Sequence, residues 1–181
     1  MSNSDIQRDM EWSTLLFQNE VWPIIKKIVG GGDLMIMEGR PDQELASKLD
    51  MLSGIDGWHI CNGMRGIASR VQKGDRSWNS FTIRMSRDSG ASTEYEKRKA
   101  AINDNTGWIY PHLTVQAYAK TESGPILSVG VAKTIDIIDY ITHGHHELRQ
   151  TTNAKFAVCF WENMRDQEYR VWQYSNQVSI L

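Results

Sequence analysis

With only two cysteines in 181 residues, the chain has no disulfide framework. Cys61 and Cys159 stand far apart in apolar, strand-like runs, without the CxxC spacing of a zinc or redox site. They read as small buried hydrophobes in a reducing compartment. No internal repeat, low-complexity segment or interdomain linker interrupts the sequence. No apolar run approaches the ~20 residues needed to span a bilayer. The opening Met1-Ser-Asn-Ser-Asp-Ile-Gln-Arg8 lacks the basic and apolar regions of a secretory signal. The expectation is a cytoplasmic protein with no membrane partner. Walker loops, dinucleotide fingerprints and nucleophile elbows are also missing, which leaves little weight on nucleotide hydrolysis, Rossmann redox chemistry or hydrolase triads.

What is present suits a globular protein: 40% hydrophobic and 23% charged residues, with seven Trp to anchor a core or a contact surface. The length suits one domain over 1–181, read as a helical N-terminal segment (1–32), a core (42–120) and a further helix and strands (121–181). The formal net charge is −2, yet it is unevenly distributed. From Arg65 to Lys99 nine Lys or Arg face four Asp or Glu, a local excess of five that an anionic ligand would sense; a solvated charged face is the plain alternative.

Helical spacing of Ile6, Met10, Leu15, Leu16, Val21, Ile24, Ile25 and Ile28 predicts helix over 5–29, with Pro23 as a break or second start and Gly30-Gly31-Gly32 as a stop. Leu34 to Met37 is compatible with a strand or a connector. Pro41-Asp42-Gln43-Glu44 opens a helix striped by Leu45, Leu49 and Leu52. Asn62-Gly63 then joins strands 57–61 and 65–72, because both turn residues must take positive φ to match strand twist. A third strand spans 77–87, and a helix over 92–103 is opened by a Ser/Thr cap. Its Glu94, Lys97 and Arg98 share one side by three- and four-residue spacing. Strands over 111–120 and 126–131, a helix over 133–143 and strands over 156–161 and 169–174 follow. The fold class is α/β (α+β), with a mixed central sheet flanked by helices.

Alternation leaves Arg70, Gln72, Thr82, Arg84, His112, Thr114 and Gln116 on polar strand faces, read as one polar face across three neighbouring strands. This is either a solvated face or a cleft for a polar ligand. Asp56, between Ile55 and Gly57 at the head of the hairpin, is either a turn carboxylate or a metal ligand. A two-residue turn places Ser69 opposite it. A three-residue turn or a bulge, the favoured arrangement, is expected to place Arg70 there, with Ala68 and Gln72 on the same face. His143-Gly144-His145-His146-Glu147 bunches three imidazoles, but without metalloprotease spacing, and reads as a loop complementing a helix C-terminus.

A helix with Glu44, then Gly54-Ile55-Asp56, a hairpin, a strand with an alternating polar motif and a second helix together resemble the core of the PD-(D/E)XK nuclease superfamily, the restriction-endonuclease-like fold. Gly66-Ile-Ala-Ser-Arg-Val-Gln72, Phe81-Thr-Ile-Arg84 and Thr93-Glu-Tyr-Glu-Lys-Arg98 are similar to nuclease-like proteins of bacteria and their mobile elements. The resemblance spans roughly residues 42 to 120. It implies a Mg²⁺- or Mn²⁺-dependent nuclease acting on DNA, possible as a homodimer, with Asp56 at the metal-binding aspartate and Arg70 where the catalytic lysine falls. Ala68 occupies the position of the acidic motif residue, and Arg cannot do the proton chemistry of Lys. Either Glu44 or Glu94 supplies the second carboxylate, with Gln72 as a neutral ligand and Lys97 replacing the lysine, or the groove persists without cleavage. In both cases Gln72, Arg84, Arg87, Arg98 and Lys99 are the expected nucleic-acid contacts. A protein-binding module using the many Trp is the third option.

Overall fold

The computed structural model describes residues 11–37, 54–103 and 109–176. The predicted helix over 41–52, and Glu44 with it, lies outside the described residues. A helical segment over 11–16 runs into a π-helical turn at Phe17–Val21 and then α1 (Trp22–Lys26), with Pro23, which has no N–H to donate, at its second position just after the π-helical turn. The strands are β1 (Asp33–Ile36), β2 (Gly57–Ile60), β3 (Met64–Lys73), β4 (Ser80–Arg87), β5 (Leu113–Ala119), β6 (Ile126–Lys133), β7 (Glu147–Gln150), β8 (Ala154–Phe160) and β9 (Val171–Ser175). Three further helices are α2 (Glu94–Asn103), α3 (Thr134–Thr142) and α4 (Trp161–Asp166).

The architecture is mixed α and β, with a six-stranded sheet β1-β2-β3-β5-β6-β9 and a three-stranded sheet β4-β8-β7. The larger sheet is mixed, because β3 and β5 are parallel while its other pairs are antiparallel. Residues 34–37, ambiguous by periodicity, supply most of strand β1. The run 77–87 does not join its predecessor's sheet: β4 pairs with β8. The polar residues of β3, β4 and β5 therefore face one another across two sheets, instead of sharing one sheet face. Glu147, read as loop, begins strand β7.

Strict alternation in β5 assigns its two faces. Val115, Ala117 and Ala119 pack with Ile67 and Val71 against Phe17, Val21, Trp22 and Ile25 of the N-terminal helices. On the other face Tyr118 joins Phe81, Ile83, Ala157, Cys159, Tyr140, Trp161 and Met164 in a second core beneath the small sheet, α3 and α4. A Cβ on Gly130 would lie 2.3 Å from Trp161 Cε2, so only glycine lets β6 pass under that indole. Among the described residues no helix is long and apolar enough to cross a membrane.

The two thiols occupy opposite environments, contrary to their common reading as buried. Cys61 is exposed in the hairpin turn, whereas burial pushes the Cys159 thiol up to about 12. Alkylation of the native protein with iodoacetamide at pH 8 is expected to modify Cys61 and spare Cys159 until denaturant is added, as peptide mass spectrometry would read. Equal labelling of both thiols would contradict this packing.

Candidate anion-binding site

The β2–β3 hairpin pairs Ile60 with Met64, so the turn is Cys61-Asn62-Gly63. The extra residue comes from the β2 side and shifts the register backward. Continued one step beyond Gly57–Ile67, that register sets Asp56 against Ala68, and neither Arg70 nor Ser69 lies directly opposite. Asp56 N–H donates to Ile67 O at 2.9 Å, while its Oδ2 accepts from Ser69 N–H and, at 3.3 Å, from Ser69 Oγ. Arg70 points away from the N-terminal core toward β4. Its Nη1 donates to Thr82 Oγ1 at 3.3 Å and its Nη2 to Glu94 Oε1 at 2.7 Å. Thr82 and Gln116 (3.3 Å), then Gln116 and Gln72 (3.0 Å), extend this chain between the sheets.

Helix α2 delivers the remaining groups. Thr93 and Glu96 form a reciprocal capping box: Thr93 N–H donates to Glu96 Oε2 at 2.8 Å and Glu96 N–H to Thr93 Oγ1 at 3.3 Å. Those bonds from Thr93 hold the Glu96 carboxyl below its ordinary value. With its start pinned, α2 turns Glu94, Lys97 and Arg98 toward β3 and β4. Lys99, one residue on and about 100° around the helix, lies instead over the Tyr95 ring at 5.3 Å, away from these groups.

Asp56, Arg70, Arg84, Arg87, Glu94, Lys97 and Arg98 all line one cavity of about 400 Å³, joined by Ser13 and Thr14 from the N-terminal helical segment. Five cations thus face two carboxylates. Burial pushes Glu94 up, but Arg70, Arg98, Arg84 and the Arg84 backbone N–H outweigh it and leave its carboxyl below the ordinary range. Burial lowers the Arg98 guanidinium, Glu94 and Asp56 oppose that shift, and Arg70 adds to it. Arg84 is lowered by burial too, countered by Glu94 and reinforced by Arg70 and Arg87. Arginine stays protonated at neutral pH, so these directions record charged guanidiniums held out of water, with neighbouring arginines adding to the effect and Glu94 opposing it.

Hydrogen bonding tells the same story. Among the described residues, Arg84 Nε, Arg87 Nε, and both Nε and Nη1 of Arg98 are buried without a hydrogen-bond partner. Arg98 is only 5% exposed. Each unmet buried donor costs on the order of 1–3 kcal/mol, more when charged. Gly54, with φ +63°, runs beside this guanidinium, its virtual Cβ 3.9 Å from Arg98 Nη2.

The divalent metal implied by the family resemblance fits these residues poorly. Asp56 Oδ2 already accepts from Ser69, Glu94 already pairs with Arg70, and among the described residues every buried unpartnered side-chain atom lining the cavity is a nitrogen donor. Among the described residues no cluster of three or more His, Cys, Asp or Glu stands ready to hold a metal ion. The donor set complements an anion. Elsewhere, His143 Nδ1 lies 3.4 Å from Asp139 Oδ1 at the end of α3, and the His143 ring stacks on His145 with centroids 6.1 Å apart, while His145 also packs on Tyr140. His112 lies outside the cavity and accepts from Gly66 N–H; burial first, then Arg65, lowers its pKa.

A second, larger cavity of about 1000 Å³ adjoins the first and shares Arg70, Thr82, Arg84 and Arg87 with it. Gln72 lines this one, along with Trp12, Trp78, Phe156 and Arg149, which the polar-residue pattern did not single out. The seven Trp were the available signal, without positions attached. No family model, curated protein or solved structure matches the chain.

Proposed function

We propose that this chain binds nucleic acid by seating a backbone phosphate in the arginine cavity. The supporting observation is the set of buried guanidinium N–H groups on Arg84, Arg87 and Arg98 that have no partner among the described residues. A phosphate supplies several acceptor oxygens and negative charge together, and guanidinium forks match that geometry. Asp56 and Glu94 hold the cationic side chains in position while the cavity is empty of anion. Binding should require no metal. Fluorescence anisotropy with a short labelled oligonucleotide in EDTA is expected to show binding that weakens with NaCl, with a log–log slope of about −0.7 to −0.9 for each phosphate neutralised. Inorganic phosphate should compete. A salt-insensitive association, or none at low salt, would remove this reading.

A second reading, divalent-dependent DNA cleavage by a restriction-endonuclease-like core, draws on one observation: Asp56, Glu94, Lys97 and Arg70 share the cavity. The hairpin carrying Asp56 and Arg70, followed after β4 by α2, supports that narrower fold. Its metal would need a carboxylate beyond those described, with Glu44 the candidate. Plasmid cleavage in Mg²⁺ or Mn²⁺, lost in EDTA and in Asp56→Ala, is the outcome that would favour it over binding alone.

A further inference from the structure

The larger cavity has a different chemistry from the arginine cavity it adjoins. Its flat walls are aromatic, and cations attend them: Arg76 Cζ stands 4.0 Å and Arg149 Cζ 5.4 Å from the Trp78 ring centroid. Arg84 Cζ lies 5.4 Å and Arg70 Cζ 5.9 Å from the centroid of Phe156. Trp78 is 44% exposed. A large ring left in water beside guanidinium planes offers a stacking platform. Arg70 and Arg84 belong to both cavities, so the platform and the phosphate donors are joined through the same two side chains. Resting on the reading of the arginine cavity as a phosphate site, we infer that the two cavities form one site for a nucleotide unit with an unpaired base, the phosphate on Arg84, Arg87 and Arg98 and the base on Trp78 and Phe156.

A simple apolar ligand would gain little from the flanking guanidiniums, and a small inorganic anion would leave the rings bare. A flat heteroaromatic group tethered to a phosphate uses both. Bases within a duplex are stacked on their neighbours and withhold their faces, so the ligand is a single strand or a free nucleotide. Each cavity taken singly, about 400 Å³ and about 1000 Å³, falls within the roughly 300–1,000 Å³ of pockets that enclose small molecules.

The test compares, on the wild-type protein, labelled oligothymidylate, an abasic strand of equal length, the corresponding duplex, and thymidine monophosphate as competitor. The expected result is that oligothymidylate binds about tenfold or more tightly than the abasic strand, the range a stacked base contributes, and more tightly than the duplex, with quenching of tryptophan fluorescence. Trp78→Ala should lower the affinity for oligothymidylate toward that of the abasic strand, the part that remains above it being the Phe156 face, and should weaken the abasic strand far less. Thymidine monophosphate should compete at lower concentration than inorganic phosphate; an affinity equal to the strand's would assign the site to a free nucleotide, and a much weaker one would assign it to a strand. Equal binding of the base-bearing and abasic strands, or a preference for duplex, overturns the inference while leaving the phosphate site standing. If no strand and no inorganic phosphate binds, both fall. The comparison among strands needs no variant, so it decides the question even where Trp78→Ala disturbs folding.

Discussion

Glu94→Gln is expected to cost about 2–4 kcal/mol of stability at pH 7, the largest loss from any single charge neutralisation in the cavity. Removing one partner of a buried ion pair typically costs about 3–5 kcal/mol, because the other charge is left uncompensated. Here the Glu94 and Arg70 side chains are 22% and 26% exposed, so solvent screening reduces the figure. Glu94 nonetheless acts on Arg70, Arg84 and Arg98 together. The pH dependence follows from the same contacts. The folded carboxyl lies below the ordinary 4.5, so on acidification the unfolded chain takes up its proton first. The stabilisation is complete above about pH 4.5 and is lost as pH falls through the lower folded value. Thermal melts of wild type and Glu94→Gln should therefore differ most at neutral pH and converge in acid. Millimolar phosphate should recover part of the deficit by replacing the missing negative charge. Coincident melts at pH 7 would mean that Glu94 does not compensate the arginines.

Arg98→Met reverses the sign on stability while removing function. The wild-type guanidinium is buried with two unpartnered nitrogens, and a methionine of similar reach needs no partner. Loss of a countercharge near Glu94 opposes this gain, but Arg70 remains at 2.7 Å from Glu94. The melting temperature is expected to hold or rise. Affinity for oligonucleotide and for phosphate should fall about 10- to 100-fold, the equivalent of one or two lost charge-assisted hydrogen bonds. Arg98→Lys should rescue little, since an ammonium lacks the planar fork. Anisotropy titrations beside differential scanning fluorimetry would separate the two effects. A variant that melts far below wild type and still binds would show that Arg98 is a structural residue. Stability and function pulling apart at one buried side chain is the pattern expected where a protein stores unmet polar capacity for a ligand.

The sequence carried much of this site because the relations involved are local. Residues 94, 97 and 98 share a helix side by periodicity alone, and Thr93 with Glu96 announces where that helix begins. Asp56 and Ser69 meet through one hairpin, so their closeness required only a turn signal. The alternation of β5 correctly separated Val115 and Ala117 from Thr114 and Gln116, because a pleated strand with two different environments must write them at period two. The three-residue turn was expected, but the side that supplies its extra residue was not: Cys61, from the β2 side, moved the register without changing either strand's pattern.

Other relations are not local, and no periodicity encodes them. Alternation in β4 shows that Phe81 and Ile83 face a core and Arg84 does not, yet backbone hydrogen bonds are the same with any partner strand. Pairing with β8 was settled by packing against α3, α4 and Trp161. That choice turned an expected polar sheet face into a cleft between two sheets, and it brought Trp78 and Phe156, far apart in the chain, to one cavity. What the sequence determined by itself is therefore the chemistry within reach of a single turn or helix: a carboxylate on a hairpin and a cationic helix side. The tertiary structure alone decided that these groups surround a cavity and that a second, aromatic cavity adjoins it, because long-range burial selects which faces meet, and local propensity is silent about partners.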